Sequence, residues 1–169
     1  MRDLSPGKLL AEHELLRTNP EKYIDMISDV IDRDPNDPSG YFSRAQGWER
    51  FGRLDKALDD FSESIALKDR AMARLRRGSV LMRMGRYSEA LEDFNHAESL
   101  GPEKWVDCWG PLYRADCHAR LGNEVAALSD CERLPDGFWS PGIYGEPGGN
   151  KAEITAEVRR RARAAKSSR

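Results

Sequence analysis

Apolar residues recur along this 169-residue chain at steps of three and four, and each run restarts after a glycine. Tyr41, Ala45 and Trp48 mark one face that Gly52 ends; Ala57, Phe61 and Ser64-Ile65 line the next, which fades at Asp69. Gly78 and Leu81 precede Gly85, after which Tyr87, Ala90-Leu91, Phe94 and Ala97 run to Gly101-Pro102. A 3.6-residue period cut by glycine predicts amphipathic helices joined in pairs by tight turns. Upstream, Leu9-Leu10 and Leu15-Leu16 predict a helix over Pro6 to Arg17.

The pattern repeats. Phe51-Gly52-Arg53-Leu54-Asp55-Lys56-Ala57-Leu58-Asp59-Asp60-Phe61 is matched by Met84 to Phe94 and by Leu121 to Cys131. A weaker copy runs from Tyr23 to Asp37, and the anchors Tyr23, Ala57, Ala90 and Ala127 lie 34, 33 and 37 residues apart. That period corresponds to one helical pair per repeat. Ala57, Ala90 and Ala127 are the expected sites of close approach between paired helices, with Phe61 and Phe94 filling the space beside them. Three copies of a multi-position pattern argue against an ordinary bundle with chance similarity.

Tyr41, Ala45, Trp48, Gly52, Ala57 and Phe61, then Gly78, Leu81, Gly85, Tyr87, Ala90, Phe94, Ala97 and Pro102, resemble the signature of the tetratricopeptide repeat (TPR) family. The resemblance covers about residues 4–134, with repeats near 4–37, 38–70, 71–107 and 108–134. It implies an all-α protein, a right-handed α-solenoid of about four helix-turn-helix units plus a C-terminal capping helix. The fourth repeat departs from the pattern with three extra residues and Gly110-Pro111 inside its expected first helix, which should break or start late, at Pro111.

The resemblance also implies a function: a non-catalytic protein-interaction module or adaptor that holds a peptide or a partner helix in a concave groove lined by first helices. Matched by position, the groove residues would be Phe42, Gln46, Glu49 and Arg50, then Leu75, Arg76, Ser79, Met82 and Arg83, then Trp109, Leu112, Tyr113, Asp116 and Arg120. Arg76, Arg83 and Arg120 would grip a carboxylate, and the aromatics would supply anchors. The family's clamp for a C-terminal carboxylate maps onto Lys8, Glu12, Ser43, Met72 and Arg76. Only Lys8 and Arg76 match, and Glu12 would repel the anion, so that use is disfavoured.

Residues 135–150 are rich in Gly and Pro yet carry Phe138, Trp139, Ile143 and Tyr144. They are expected to form a loop covering the end of the last repeat, or one whose Trp139 or Tyr144 meets a partner. Gly145 to Lys151 is a poor phosphate loop, because Asn150 separates glycine from lysine and no Ser or Thr follows. Asn150 predicts a cap for a terminal helix with Ile154, Val158, Ala162 and Ala165 on one stripe, spanning the basic segment 151–169.

Charge then changes one part of the picture. The chain carries a net charge of -2, but residues 151–169 hold seven Lys/Arg against two acids, so the +5 there leaves -7 for residues 1–150. Arg159, Arg160, Arg161, Arg163 and Lys166 offer an alternative function, nucleic-acid or anionic-ligand binding, which the acidic remainder disfavours for nucleic acid. Cys108, Cys117 and Cys131 form no obvious pair and suit a reducing cytoplasm. No apolar run is long enough to span a membrane. His13, His96 and His118 are scattered, and adjacent Cys117 and His118 diverge by about 100 degrees on a helix, so no metal, cofactor or catalytic set is expected. The acid pairs Asp59-Asp60 and Glu92-Asp93 are expected on solvated outer faces. The partner would be a protein or peptide of unknown identity, and self-association is compatible with such an array.

Overall fold

The computed structural model describes residues 6–101, 109–142 and 145–168, with side chains from Leu10 onward. It falls into two compact units, residues 1–69 and 70–169. The first holds α1 (Pro6–Thr18), α2 (Pro20–Arg33), α3 (Pro38–Arg50) and α4 (Leu54–Leu67). The second holds α5 (Ala71–Arg83), α6 (Tyr87–Leu100), α7 (Gly110–Arg120), α8 (Glu124–Glu132) and α9 (Lys151–Ser167). Between α8 and α9 lies a short antiparallel pair that the loop expectation did not contain, β1 (Trp139–Ser140) and β2 (Gly149–Asn150), with Trp139 opposite Asn150.

Local chemistry accounts for the helix ends. Asn19 and Asp37 cap α2 and α3, accepting from the N–H groups of Lys22 at 3.0 Å and Ser39 at 2.9 Å, and Pro20 and Pro38 follow where a missing N–H costs nothing. Pro111 sits likewise in the first turn of α7, which begins at Gly110 rather than at Pro111. Three hairpin turns are built alike. Gly52, Gly85 and Gly122 take φ of 78°, 77° and 74°, and the next residue donates five residues back, Arg53 to Trp48, Arg86 to Leu81 and Asn123 to His118. This is the Schellman closure, which needs a left-handed residue and therefore glycine.

Small residues let the paired helices touch. Ala57, Ala90 and Ala127 are fully buried, as are Phe61 and Phe94. A methyl group on Gly78 would stand 2.5 Å from the Phe94 ring, so α5 presses on α6 through bare backbone. A methyl on Gly47 would likewise stand 2.7 Å from Ile24, where α3 meets α2.

One expectation is corrected here. Asp60 and Asp93 are buried, while their neighbours Asp59 and Glu92 are exposed. Asp60 accepts from Arg44 Nε and Nη2 at 2.7 and 2.8 Å. Asp93 accepts from Arg77 Nε and Nη2, both at 2.7 Å, and from Arg74 at 3.0 Å. Asp130 accepts from Arg114 Nε at 2.8 Å and Nη2 at 2.5 Å. Each pair joins the two helices of one hairpin across 16 residues. Adjacent acids on a helix point about 100° apart, so one faces water while the other faces the partner helix. A carboxylate screened from water needs charge-assisted bonds such as these to offset its lost hydration.

The last hairpin is closed by α9. Ile154, Val158 and Ala162 pack on Leu112, Ala115, Ala119, Ala127, Cys131 and Leu134. Asn150 and Glu153 form a reciprocal capping box: Asn150 Oδ1 accepts from the N–H of Ala152 and Glu153, and Glu153 accepts from the Asn150 N–H at 2.8 Å. Asn150→Ala should therefore cost about 1 kcal/mol and lower the melting temperature by about 2–4 °C, read by circular dichroism.

Candidate partner-binding face and basic cleft

In the unit of residues 1–69, α3 carries four of the residues assigned to the groove. Phe42 is half-buried, edge-on to Phe61 with ring centres 5.5 Å apart; Gln46 and Glu49 are half-buried and Arg50 is exposed.

In the unit of residues 70–169, the assigned residues divide by access. Leu75, Ser79 and Met82 on α5 are buried, whereas Arg76 and Arg83 are half-buried. The Arg76 guanidinium makes no hydrogen bond or ion pair among the described residues. At the start of α7, Trp109, the residue before the helix, and Tyr113 stack with centres 6.1 Å apart, Tyr113 stacks on Phe94, and Phe138 meets Trp109 edge-on at 5.4 Å. Leu112 is 0% exposed beneath α9, and Asp116 is buried as well. Neither presents itself to a partner, because the capping helix covers that side of α7. Trp139 on β1 is 62% exposed; Tyr144 lies outside the described residues.

Asp116 is the centre of a second arrangement. Its Oδ2 accepts from Arg120 Nε at 2.9 Å and its Oδ1 from Arg161 Nη1 at 2.7 Å. Arg120 also donates to the Tyr87 hydroxyl at 3.2 Å and to the Gly145 carbonyl at 2.8 Å, with its guanidinium 5.3 Å from the Tyr87 ring centre. Arg161 donates to the same carbonyl at 2.7 Å. Arg160 and Arg161 both bond Glu157, whose carboxyl is held down to about 2, first by the Arg160 hydrogen bonds. Tyr87, Arg120, Arg160 and Arg161 line one open cleft with Ala164 and Ala165.

The buried Arg–Asp pairs and the Asp116 hub escape a reading based on apolar periodicity. A signal for the pairs was present: Arg44, Arg77 and Arg114 recur at the spacing of the alanine anchors, as do Asp60, Asp93 and Asp130. The hub had none, since Asp116 and Arg161 meet across 45 residues.

The two described thiols, Cys117 and Cys131, are unsuited to nucleophilic chemistry; Cys108 lies outside the described residues. Burial pushes Cys131 up to about 11 and Cys117 farther, so neither supplies thiolate near neutral pH. Burial likewise pushes His118 below its ordinary value. Among the described residues no group of three or more His, Cys, Asp or Glu is placed to hold a metal, and no helix is long and apolar enough to cross a membrane.

Glycine-closed helix hairpins of near-constant period, packed through alanine, define a helical-repeat protein. The chain is 30% identical to the tetratricopeptide repeat protein 36 homolog of Drosophila melanogaster over 126 residues, 70% of this chain and 68% of that one, and it belongs to the tetratricopeptide repeat family. It is also 36% identical over 104 residues to the DnaJ homolog subfamily C member 3 of Mus musculus, spanning about a fifth (21%) of that protein's length. Among solved structures it is similar to MamA, with a TM-score of 0.67 at 17% identity over 90% of this chain and 91% of that one. A thermophilic TPR protein of Thermus thermophilus superposes with a TM-score of 0.61 at 16% identity, covering 92% and 78% of the two chains. At such identities the structures share the fold alone. No family model matches the chain.

Proposed function

We propose that this chain is a non-catalytic adaptor that holds an acidic segment of a partner protein on the first-helix face of residues 70–169. The observation that carries this reading is Arg76, a half-buried residue whose guanidinium has no partner among the described residues. Arginines 44, 77, 114, 120 and 161, by contrast, are each committed to a carboxylate. A guanidinium not already committed to a carboxylate keeps its donors for one brought by a partner, and such charge-assisted bonds are the strong ones. Arg83 lies seven residues on, two turns along the same face of α5, and Trp109 and Tyr113 give aromatic surface on α7. The fold supports a protein-interaction role in general.

Nucleic-acid binding through α9 is less well supported. Arg159 and Arg163 are drawn to Glu124, at 3.8 and 3.0 Å, and Arg160 and Arg161 to Glu157, so much of the helix's charge is already met. The test is quantitative affinity capture from the native host with the full chain, Arg76→Glu, and the exposed-site control Arg33→Glu. Arg76→Glu should lower recovery of a specific partner about tenfold, the loss expected for reversing a charge at a charge-assisted contact. Equal recovery with both variants would sink the reading.

A further inference from the structure

The cleft beside Asp116 has hydrogen-bond donors to spare. Each of the four oxygens of Asp116 and Glu157 already accepts from a guanidinium: Asp116 from Arg120 and Arg161, Glu157 from Arg160 and Arg161. On the donor side, Arg160 uses only Nε and Nη2, and Arg161 uses only Nε and Nη1. Arg160 Nη1 and Arg161 Nη2 therefore remain open among the described residues, and the Tyr87 hydroxyl accepts from Arg120 while keeping its own proton to give. Three guanidiniums against two carboxylates leave one positive charge uncompensated. The small side chains of Ala164 and Ala165 keep the cleft open, at about 490 Å³.

Rigidity is the second half of the argument. Arg120 and Arg161 are fixed by a buried carboxylate and by one backbone carbonyl, that of Gly145, and their side chains are only 32% and 21% exposed. Of the two arginines with an open nitrogen, Arg161 is already ordered and loses little entropy on binding, whereas Arg160, 69% exposed, is steadied by Glu157.

We infer that this cleft is a binding site for a single oxyanion, a carboxylate or a phosphoryl group, presented by the partner protein. One uncompensated charge matches one anion. A nucleic acid would require a row of uncompensated cations, and residues 1–150 carry a net -7. The inference rests on the partner-binding reading only for what carries the oxyanion.

The experiment titrates the isotope-labelled full chain with inorganic phosphate and separately with acetate, each replacing chloride at constant ionic strength, and follows the arginine Nε–H and tyrosine ring signals by NMR. Saturable, joint movement of the Arg160, Arg161 and Tyr87 signals is expected, with dissociation constants on the order of millimolar. Tyr87→Phe and Arg160→Gln should each weaken binding about threefold and together about tenfold, while Arg163→Gln leaves it unchanged. Tighter acetate assigns the source to a carboxylate and tighter phosphate to a phosphoryl group; both outcomes support the site. Linear drift without saturation, or saturation indifferent to Arg160→Gln, overturns it. Binding of a twelve-nucleotide single strand about tenfold tighter than phosphate, with a salt dependence of several released ions, overturns it in favour of nucleic acid. In the capture experiment, partners lost by Arg76→Glu but kept by the Tyr87→Phe/Arg160→Gln variant overturn the partner-borne oxyanion and leave the adaptor reading standing. Partners kept by Arg76→Glu and lost by the double variant do the reverse.

Discussion

Replacing Arg114 with leucine is expected to cost about 3–5 kcal/mol, read as a fall in urea midpoint at unchanged slope. Arg114 is 9% exposed and holds Asp130 bidentately, with Asn95 at 3.1 Å and Glu98 on its remaining nitrogen. Leucine keeps an apolar stem but lacks three heavy atoms, so the lost volume adds to a cost that comes mainly from charge. Among the described residues, Asp130 would be left buried with only Arg133 at 3.7 Å, and Glu98 with Arg133 alone. The sharper measurement is the double variant. Removing both charges with Arg114→Leu and Asp130→Leu should recover most of the loss, to within about 1–2 kcal/mol of the parent, because an apolar pair needs no solvation. A single variant costing less than about 1 kcal/mol would show that water reaches the pair in solution.

Gly78→Leu is expected to destabilise the hairpin of α5 and α6 by on the order of 3 kcal/mol, or to prevent its folding. Two effects compete at this position. Glycine inside a helix is about 1 kcal/mol worse than alanine, so propensity alone favours any substitution. Against that stands the Phe94 ring, fully buried, 2.5 Å from where a first carbon would go. A buried ring is not the loose end of a flexible chain, so it moves only by disturbing the packing around it. Overpacking wins, and even Gly78→Ala should lose about 1–2 kcal/mol. Pairing Gly78→Ala with Phe94→Leu tests the cause: the two changes should cost less together than the sum of their separate costs, since the smaller side chain makes room for the methyl. Strict additivity would remove the contact as the explanation.

These two sites were unequally visible. Gly78 stands in the repeat signature, and its use follows once two helices are known to pair at that point. The ion pairs were hidden by their own neighbours. Asp59-Asp60 and Glu92-Asp93 look like hydrophilic stretches, and only the bend at Gly52 or Gly85 brings the inner acid of each pair against an arginine 16 residues upstream. The corresponding positions of the first repeat, 34 residues earlier, are Leu10 and Met26, so the device belongs to the later three hairpins. Leu112 shows the opposite failure. Its helix position matches a groove residue, yet α9 packs over it and makes it core.

Period and residue size in the sequence determined the helical pairs, their turns and their closest contacts, because a 3.6-residue repeat, a left-handed glycine and an alanine seam are local properties. Tertiary structure alone decided which charges are buried, which first-helix residues α9 covers, and that Tyr87, Arg120, Arg160 and Arg161 line one cleft. Those outcomes join residues 16 to 74 positions apart, and a distance between chain segments is set by packing rather than by any run of residues.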